Sequence, residues 1–317
     1  MEKGVVIVNP TAGNGEIRKS LPKLLELVGR QKGWIYEIPI QELQLLKVLQ
    51  IATDDATSKI VVVGGDGTNH KIFTCMFLVG GEKLMSATKF AFTNGGTMNF
   101  VARSFNVKDD PTEHLTRVFQ DKTQERKLQI LRFDGIADYP LYGTFAGFGA
   151  AATILGKYRK TAGGRFRVME WIARGAAAAV APKLDSEIAA LLAPANCGIE
   201  VDGVKKLCNP IGMVVSAIEE FKLRFPFTPP VRPFRNKINT SSFGVIASNR
   251  SPRELAEKFW KLWNGKWRND DQQMLNASAK EIIIHNLTGL VNIDGDEYYS
   301  RSGKIRISCG PVITVLT

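Results

Sequence analysis

The first strong pattern along the chain is the apolar run from Val5 to Asn9, a strand with no polar alternation. Ile17 to Val28 follows with helical spacing through Leu21, Leu24, Leu25 and Val28. Trp34 to Ile40 reads as a strand and Leu43 to Ala52 as a helix. Ile60 to Val63 is a second unbroken apolar strand, a helix runs from about Asn69 to Leu78, and Lys89 to Thr93 is a further strand. Strands and helices that alternate, with strands apolar throughout, predict a parallel sheet covered on both faces. This α/β domain is placed at residues 1–127.

After Leu128 the pattern changes to short strand candidates separated by turn signals: LQILRFDGI, YGTFAGFGAA, GIEVDGVKKL, IGMVVSAI, SSFGVIAS, KEIIIHNL, GLVNIDGD, KIRISC and VITVLT. Many short strands predict an antiparallel sandwich or barrel over residues 128–317. Helical segments interrupt it at Ala162 to Leu192 and again from Ser251. There, Ser251 is the predicted N-cap, Pro252 takes the first helical position and Glu254 completes a capping box. A hairpin turning on Asp202-Gly203 would set Cys197 opposite Cys208. No internal repeat or low-complexity linker is present.

The 317 residues suit two domains, and the 44% hydrophobic and 23% charged content is that of an ordinary soluble protein. No uninterrupted apolar run is long enough for a membrane-spanning helix. The opening MEKGVVIVNP lacks a signal peptide's long apolar region and small-residue cleavage site, which predicts a cytoplasmic protein. Cys75, Cys197, Cys208 and Cys309 lack metal-type spacing and read as reduced thiols. His70, His114 and His285 form neither a metal nor a triad pattern. The net charge of +11 suggests an anionic partner without choosing among nucleotide, nucleic acid and acidic membrane.

Candidate chemistry gathers in three loops, each after a strand of the first domain: Asn9-Pro10-Thr11-Ala12-Gly13-Asn14-Gly15, Gly64-Gly65-Asp66-Gly67-Thr68 and Asn94-Gly95-Gly96-Thr97-Met98-Asn99. All lie at carboxyl ends of parallel strands, where open α/β sheets bind ligands. Glycine lets backbone N–H groups approach an anion, and a helix beginning just after the loop adds its own. Thr68 suits an N-cap. A carboxylate beside phosphates repels them unless a cation lies between, so Asp66 points to a Mg²⁺-nucleotide. The loops match neither GxxxxGK[ST] nor GxGxxG.

NPTAGNG, GGDGT and GGTMNFVAR resemble, in that order, the nucleotide-binding motifs of the diacylglycerol kinase, sphingosine kinase and ceramide kinase catalytic family. FAGFGA (Phe145 to Ala150) and NIDGDE (Asn292 to Glu297) resemble two later motifs of the same family. GGDGT alone is shared with NAD kinases; the ordered set is more specific. The resemblance implies an ATP-binding α/β domain, a β-sandwich lipid-binding domain and a cleft between them. It places Asn9, Gly13, Gly65, Asp66, Gly67, Thr68, Thr97 and Asn99 at the nucleotide and Asp66 at the metal. Asp294 takes the place of the aspartate in the family's Asp-Gly-Glu motif, the base toward the lipid hydroxyl.

The chain departs from the family at several points. His70 and Lys71 stand where GGDGT-x-Asn-Glu is usual. Phe100 replaces the acid of Asn-Asp-Phe-Ala-Arg, and Asp296 the glutamate of Asp-Gly-Glu, with Glu297 next in line as the other candidate for the second carboxylate. Three stretches mix basic and aromatic residues: Gly156 to Arg174, Phe221 to Lys237 and Lys258 to Arg268. They predict peripheral docking on an anionic membrane. No nucleic-acid recognition motif accompanies them, so nucleic acid is not an expected partner. The sequence therefore predicts a membrane-associating lipid kinase that uses ATP with Mg²⁺ and phosphorylates a lipid hydroxyl. The alternatives are a non-catalytic nucleotide or lipid sensor with the same fold and a soluble-acceptor kinase resembling NAD kinase.

Overall fold

The computed structural model describes residues 4–15, 17–31, 34–37, 41–54, 58–96, 99–107, 110–160, 174, 192–219, 234, 238–251, 253–255, 257, 272–300 and 303–317. The chain forms two compact units: Met1–Ile130 with Gly310–Thr317, and Leu131–Cys309.

Unit 1 is built on strands β1 (Gly4–Val8), β2 (Trp34–Glu37), β3 (Lys59–Val63) and β4 (Lys89–Phe92). They lie in the order β2-β1-β3-β4, every neighbour parallel. The end of β16 (Lys304–Leu316) adds a further parallel strand beside β4 through Thr314 and Val315. β1 and β3 are buried at every position, because helices cover both faces of the sheet. Alternation within the strands divides the core. Val6, Val8, Val61, Val63 and Ala91 pack with Leu24 and Val28 of α1 (Ile17–Gly29) and Leu115 and Val118 of α5 (Pro111–Phe119). The other face meets α3 (Asp66–Ala87), which packs against α2 (Glu42–Asp54). There Phe73 of α3 stands edge-on to Phe90 and Phe92 of β4, each with ring centroids 5.7 Å apart.

The predicted strands and helices of this unit are present, but the helix expected from Asn69 begins at Asp66 with Gly65 at its N-cap, so Thr68 lies inside the first turn rather than capping it. The helix expected to end near Leu78 runs to Ala87 because it continues past a break at Gly81, where φ is 69°.

Unit 2 contains two antiparallel sheets. One has the order β12 (Met274–Ala279), β11 (Phe243–Ser248), β10 (Gly212–Ser216), β7 (Phe145–Gly149), β14 (Leu290–Ile293), β15 (Asp296–Tyr299). The other runs from the first part of β16 through β13 (Glu281–His285) and β8 (Gly198–Val201) to β9 (Val204–Cys208). β5 (Glu125–Asp134) pairs with β16 and with β6 (Leu141–Gly143). Phe148, Val215 and Val245 from the first sheet share one core with Ile199, Ile282 and Ile307 from the second. The fold is thus an α/β parallel sheet followed by an antiparallel β-sandwich, as the patterning predicts.

Three details differ from the sequence reading. YGTFAGFGAA is strand only to Gly149, whose φ of 60° turns the chain into helix α6 (Ala150–Lys160). KIRISC and VITVLT form one strand, β16, which continues through Gly310-Pro311. Asp202 and Gly203 do make a turn with positive φ, but a bulge between Ile199 and Glu200 shifts the hairpin by one residue. Cys208 therefore faces Gly198 rather than Cys197, and all four cysteines are free.

The capping box is formed: Ser251 N donates to Glu254 Oε2 at 3.0 Å, and Glu254 N to Ser251 Oγ at 3.4 Å. The helical stretch predicted at Ala162 to Leu192 lies for the most part outside the described residues. So do the three basic-aromatic stretches, apart from a few positions. One of these, Phe234, is buried with its ring against Gly244 of β11 and belongs to the core rather than to a surface patch. Among the described residues, no helix is long and apolar enough to cross a membrane.

Phe73→Ala removes the ring that joins α3 to β4 and is expected to cost about 3–5 kcal/mol of stability. Urea unfolding checks this; a loss well under 1 kcal/mol contradicts the packing described.

Candidate active site

Parallel register brings the three glycine loops to the same end of the unit 1 sheet, and there they touch one another. Gly13, with φ at 61°, lies so near the third loop that an added Cβ would stand 2.7 Å from Gly95 O. A Cβ on Gly96 would run into Gly65 Cα. Both positions need glycine because backbone meets backbone. The glycines thus serve loop-to-loop packing as well as any approach to phosphate.

Side chains complete the joint. Asn9 Oδ1 accepts from Thr11 N and Oγ1, and its Nδ2 donates to Thr68 Oγ1 at 2.9 Å, linking the first loop to the second. Asn99 sits in the left-handed region, φ 52° and ψ 47°. Its Oδ1 accepts from Gly96 N, and its Nδ2 donates to Gly96 O and Asn94 Oδ1, each at 2.6 Å. Asn9, Gly13, Gly65, Asp66, Gly67, Thr68 and Asn99 therefore belong to one cluster. Thr97 lies outside the described residues.

Asp66 holds the centre of this cluster. Its carboxylate accepts from the backbone N–H of Phe100 at 3.0 Å (Oδ2) and of Val101 at 3.3 Å (Oδ1). These are the first residues of α4 (Phe100–Ser104), whose own N-cap residue, Asn99, makes no side-chain cap. A carboxylate from the second loop thus caps the helix that follows the third, and favours its positive end. Asp66 is 8% exposed, and burial pushes its carboxyl above the ordinary range against the pull of these N–H groups and Arg103.

The metal that the family resemblance implies fits this carboxylate. The two N–H bonds use one acceptor site on each oxygen and leave others. A buried negative charge gains from a cation beside it, and Mg²⁺ needs only one or two carboxylates when phosphates supply further oxygens. Among the described residues, no group of three or more His, Cys, Asp or Glu side chains could hold a metal by itself.

In unit 2, Asp294 and Gly295 form the turn between β14 and β15, with φ of 48° and 97°. Asp294 is buried; its Oδ2 accepts from Thr144 N at 2.8 Å and its Oδ1 from Thr144 Oγ1 at 2.9 Å. A Cβ on Gly143 would stand 2.6 Å from Asp294 Oδ2, so Gly143 leaves room for the carboxylate. Asp296 is buried and paired with Ile293, while Glu297 is paired with Asn292 and reaches Gly156 of α6. Thr144 is the residue the sequence reading missed. It stands between β6 and β7, remote in sequence from Asp294, and carries no motif of its own.

His70 is buried and Lys71 is exposed on α3.

Because burial raises the Asp66 pKa in the folded chain, the folded state holds that proton more tightly than the unfolded one. Its contribution to stability is present below the unfolded carboxylate value of about 4 and is lost as pH rises through the folded value. Unfolding free energies of wild type and Asp66→Asn, measured by urea across this range, are expected to show the difference moving against wild type as pH rises. A flat difference contradicts a desolvated Asp66.

Comparison with known proteins finds a matching family model and structures of the same fold. Residues 3–131, which contain all three loops, match the diacylglycerol kinase catalytic domain. A Bacillus subtilis (strain 168) protein described as "Putative lipid kinase YtlR" is 28% identical over 134 residues, 40% of this chain. The chain spans 41% of the length of that relative. Two crystal structures from Bacillus anthracis str. Sterne share the fold over 99% of this chain and 96% of theirs. One, described as a "putative diacylglycerol kinase", has a TM-score of 0.69 at 18% identity, and the other, a diacylglycerol kinase, 0.64 at 16%. Residues 3–131, whose ordered motifs lie on touching loops, match the diacylglycerol kinase catalytic domain, and the whole chain shares the fold of these bacterial structures.

Proposed function

We propose that this protein is an ATP- and Mg²⁺-dependent lipid kinase that transfers the γ-phosphoryl group to a lipid hydroxyl. The observation that carries the reading is the junction of three glycine loops at the carboxyl end of a parallel sheet, in the segment that matches the kinase family. Phosphoryl transfer depends on positioning and charge neutralisation more than on covalent help from the protein.

In this reading Gly13, Gly65, Gly67, Thr68 and Asn99 border the triphosphate, with the start of α3 turned to its negative charge. Asn9 keeps Thr68 in place. Bound Mg²⁺ would neutralise developing charge on the phosphate oxygens, and Asp66 is the carboxylate that would hold it. Asp294 accepts the proton of the attacking lipid hydroxyl, with Thr144 fixing the carboxylate's orientation. Asp296, beside it on β15, is the second acid of the motif.

A second reading has an observation of its own. The Asp66 and Asp294 carboxylates both make structural hydrogen bonds, which a non-catalytic nucleotide or lipid sensor of this fold would also need.

The net charge of +11 and the basic-aromatic stretches support peripheral docking on anionic membranes at about 1 kcal/mol per basic residue near the surface. Binding to anionic vesicles is expected to weaken as salt is raised; salt-independent binding contradicts electrostatic docking.

Radiolabelled ATP with mixed micelles of lipid alcohols tests the enzyme. Label is expected in lipid, and Asp294→Asn is expected to lower the rate by about 10²-fold or more. Asparagine tolerates the left-handed turn, so this variant keeps the backbone. Binding of ATP with no transfer to any lipid alcohol decides for the sensor.

A further inference from the structure

Helix α3 carries a polar side chain that its protein surroundings do not explain. Asn69 is only 4% exposed, and its amide oxygen Oδ1 is buried with no hydrogen-bond partner among the described residues. An orphaned buried amide is destabilising, and removing it in favour of an apolar group of similar shape is neutral or better for stability. A water or a ligand is the partner that would account for it.

The position of Asn69 indicates which ligand. Residues three and four apart share one face of a helix. Asp66 stands three before Asn69 and Phe73 four after it, so the three form one stripe. Phe73 packs on Phe90 and Phe92 of β4, so the stripe looks onto the strand from which the third loop leaves. At its upper end is the Asp66 carboxylate. One helical turn below is the orphaned oxygen. A carboxylate and an amide carbonyl are both hard oxygen donors, the kind a divalent cation of the Mg²⁺ class takes. The third loop offers no acid at the start of α4, where Phe100 stands and gives Asp66 only its N–H.

We infer that Asn69 Oδ1 supplies the second protein oxygen to the cation beside Asp66, directly or through one of the cation's waters. Its neutral amide adds a donor without adding negative charge near phosphate. The inference rests on the Mg²⁺-nucleotide reading above.

The test uses the full chain, Mn²⁺ in place of Mg²⁺ with ATP, and electron paramagnetic resonance of the free ion. Urea unfolding without metal serves as the second readout. Asn69→Leu deletes the oxygen at similar volume. It is expected to weaken Mn²⁺-ATP binding about 10-fold or more while the urea midpoint stays or rises. Asn69→Asp returns an oxygen and is expected to bind at least as tightly as wild type. Unchanged Mn²⁺-ATP affinity in Asn69→Leu overturns the inference. A lowered urea midpoint overturns it too, because the amide would then have a structural partner. Wild type that binds no Mn²⁺-ATP at all overturns the nucleotide reading together with this one, whereas tight wild-type binding matched by Asn69→Leu removes Asn69 alone.

Discussion

The bond from the Asp66 carboxylate to the backbone amides of Phe100 and Val101 is the constraint on which the rest of the candidate site depends. It joins the second glycine loop to the helix that follows the third. Close contact between glycines 13 and 95, and 65 and 96, does the same work without side chains. Loops of this composition would otherwise be entropically free, since glycine loses more conformational freedom on folding than any other residue. Here that freedom is taken up by contacts among the loops.

Both motif aspartates are buried, and each is held by groups distant in sequence: Asp66 by α4, Asp294 by Thr144. Burial penalises an ionised carboxylate unless hydrogen bonds or a cation offset it. N–H and O–H donors supply part of that offset in both units. They also fix the direction of each carboxylate, which an acid that only balanced charge at the surface would lack. In the proposed kinase reading, the energetic expense of two buried acids falls where phosphoryl transfer would use them.

Much of the scaffold was legible because its signals are local. Strands such as Ile60 to Val63 are apolar throughout, and helices such as Ile17–Gly29 keep helical spacing. The capping box at Ser251 follows from four residues. What stayed hidden depends on contacts made at a distance. No window around Asp66 contains Val101, 35 residues away, and none around Asp294 contains Thr144, 150 residues away. The β8–β9 bulge leaves no composition signal, so it moved Cys208 off its expected partner. Gly310-Pro311 looked like a break, but the chain stays extended there while Gln129 Nε2 donates to Gly310 O. The Gly-Ala run after Phe148 carries too little hydrophobic contrast to tell helix from strand, so the strand pattern runs on into Ala150 and Ala151, the first two residues of α6.

The central claim is that the three touching loops of unit 1 receive a magnesium-bound triphosphate. Amide hydrogen exchange on the full chain, with and without Mg²⁺ and ATP, tests it most directly. Slower exchange on binding is predicted in peptides covering residues 9–15, 64–70 and 94–103 together, because the loops form one joint. Bound nucleotide with no change in these peptides, or protection confined to residues 131–309, would contradict it.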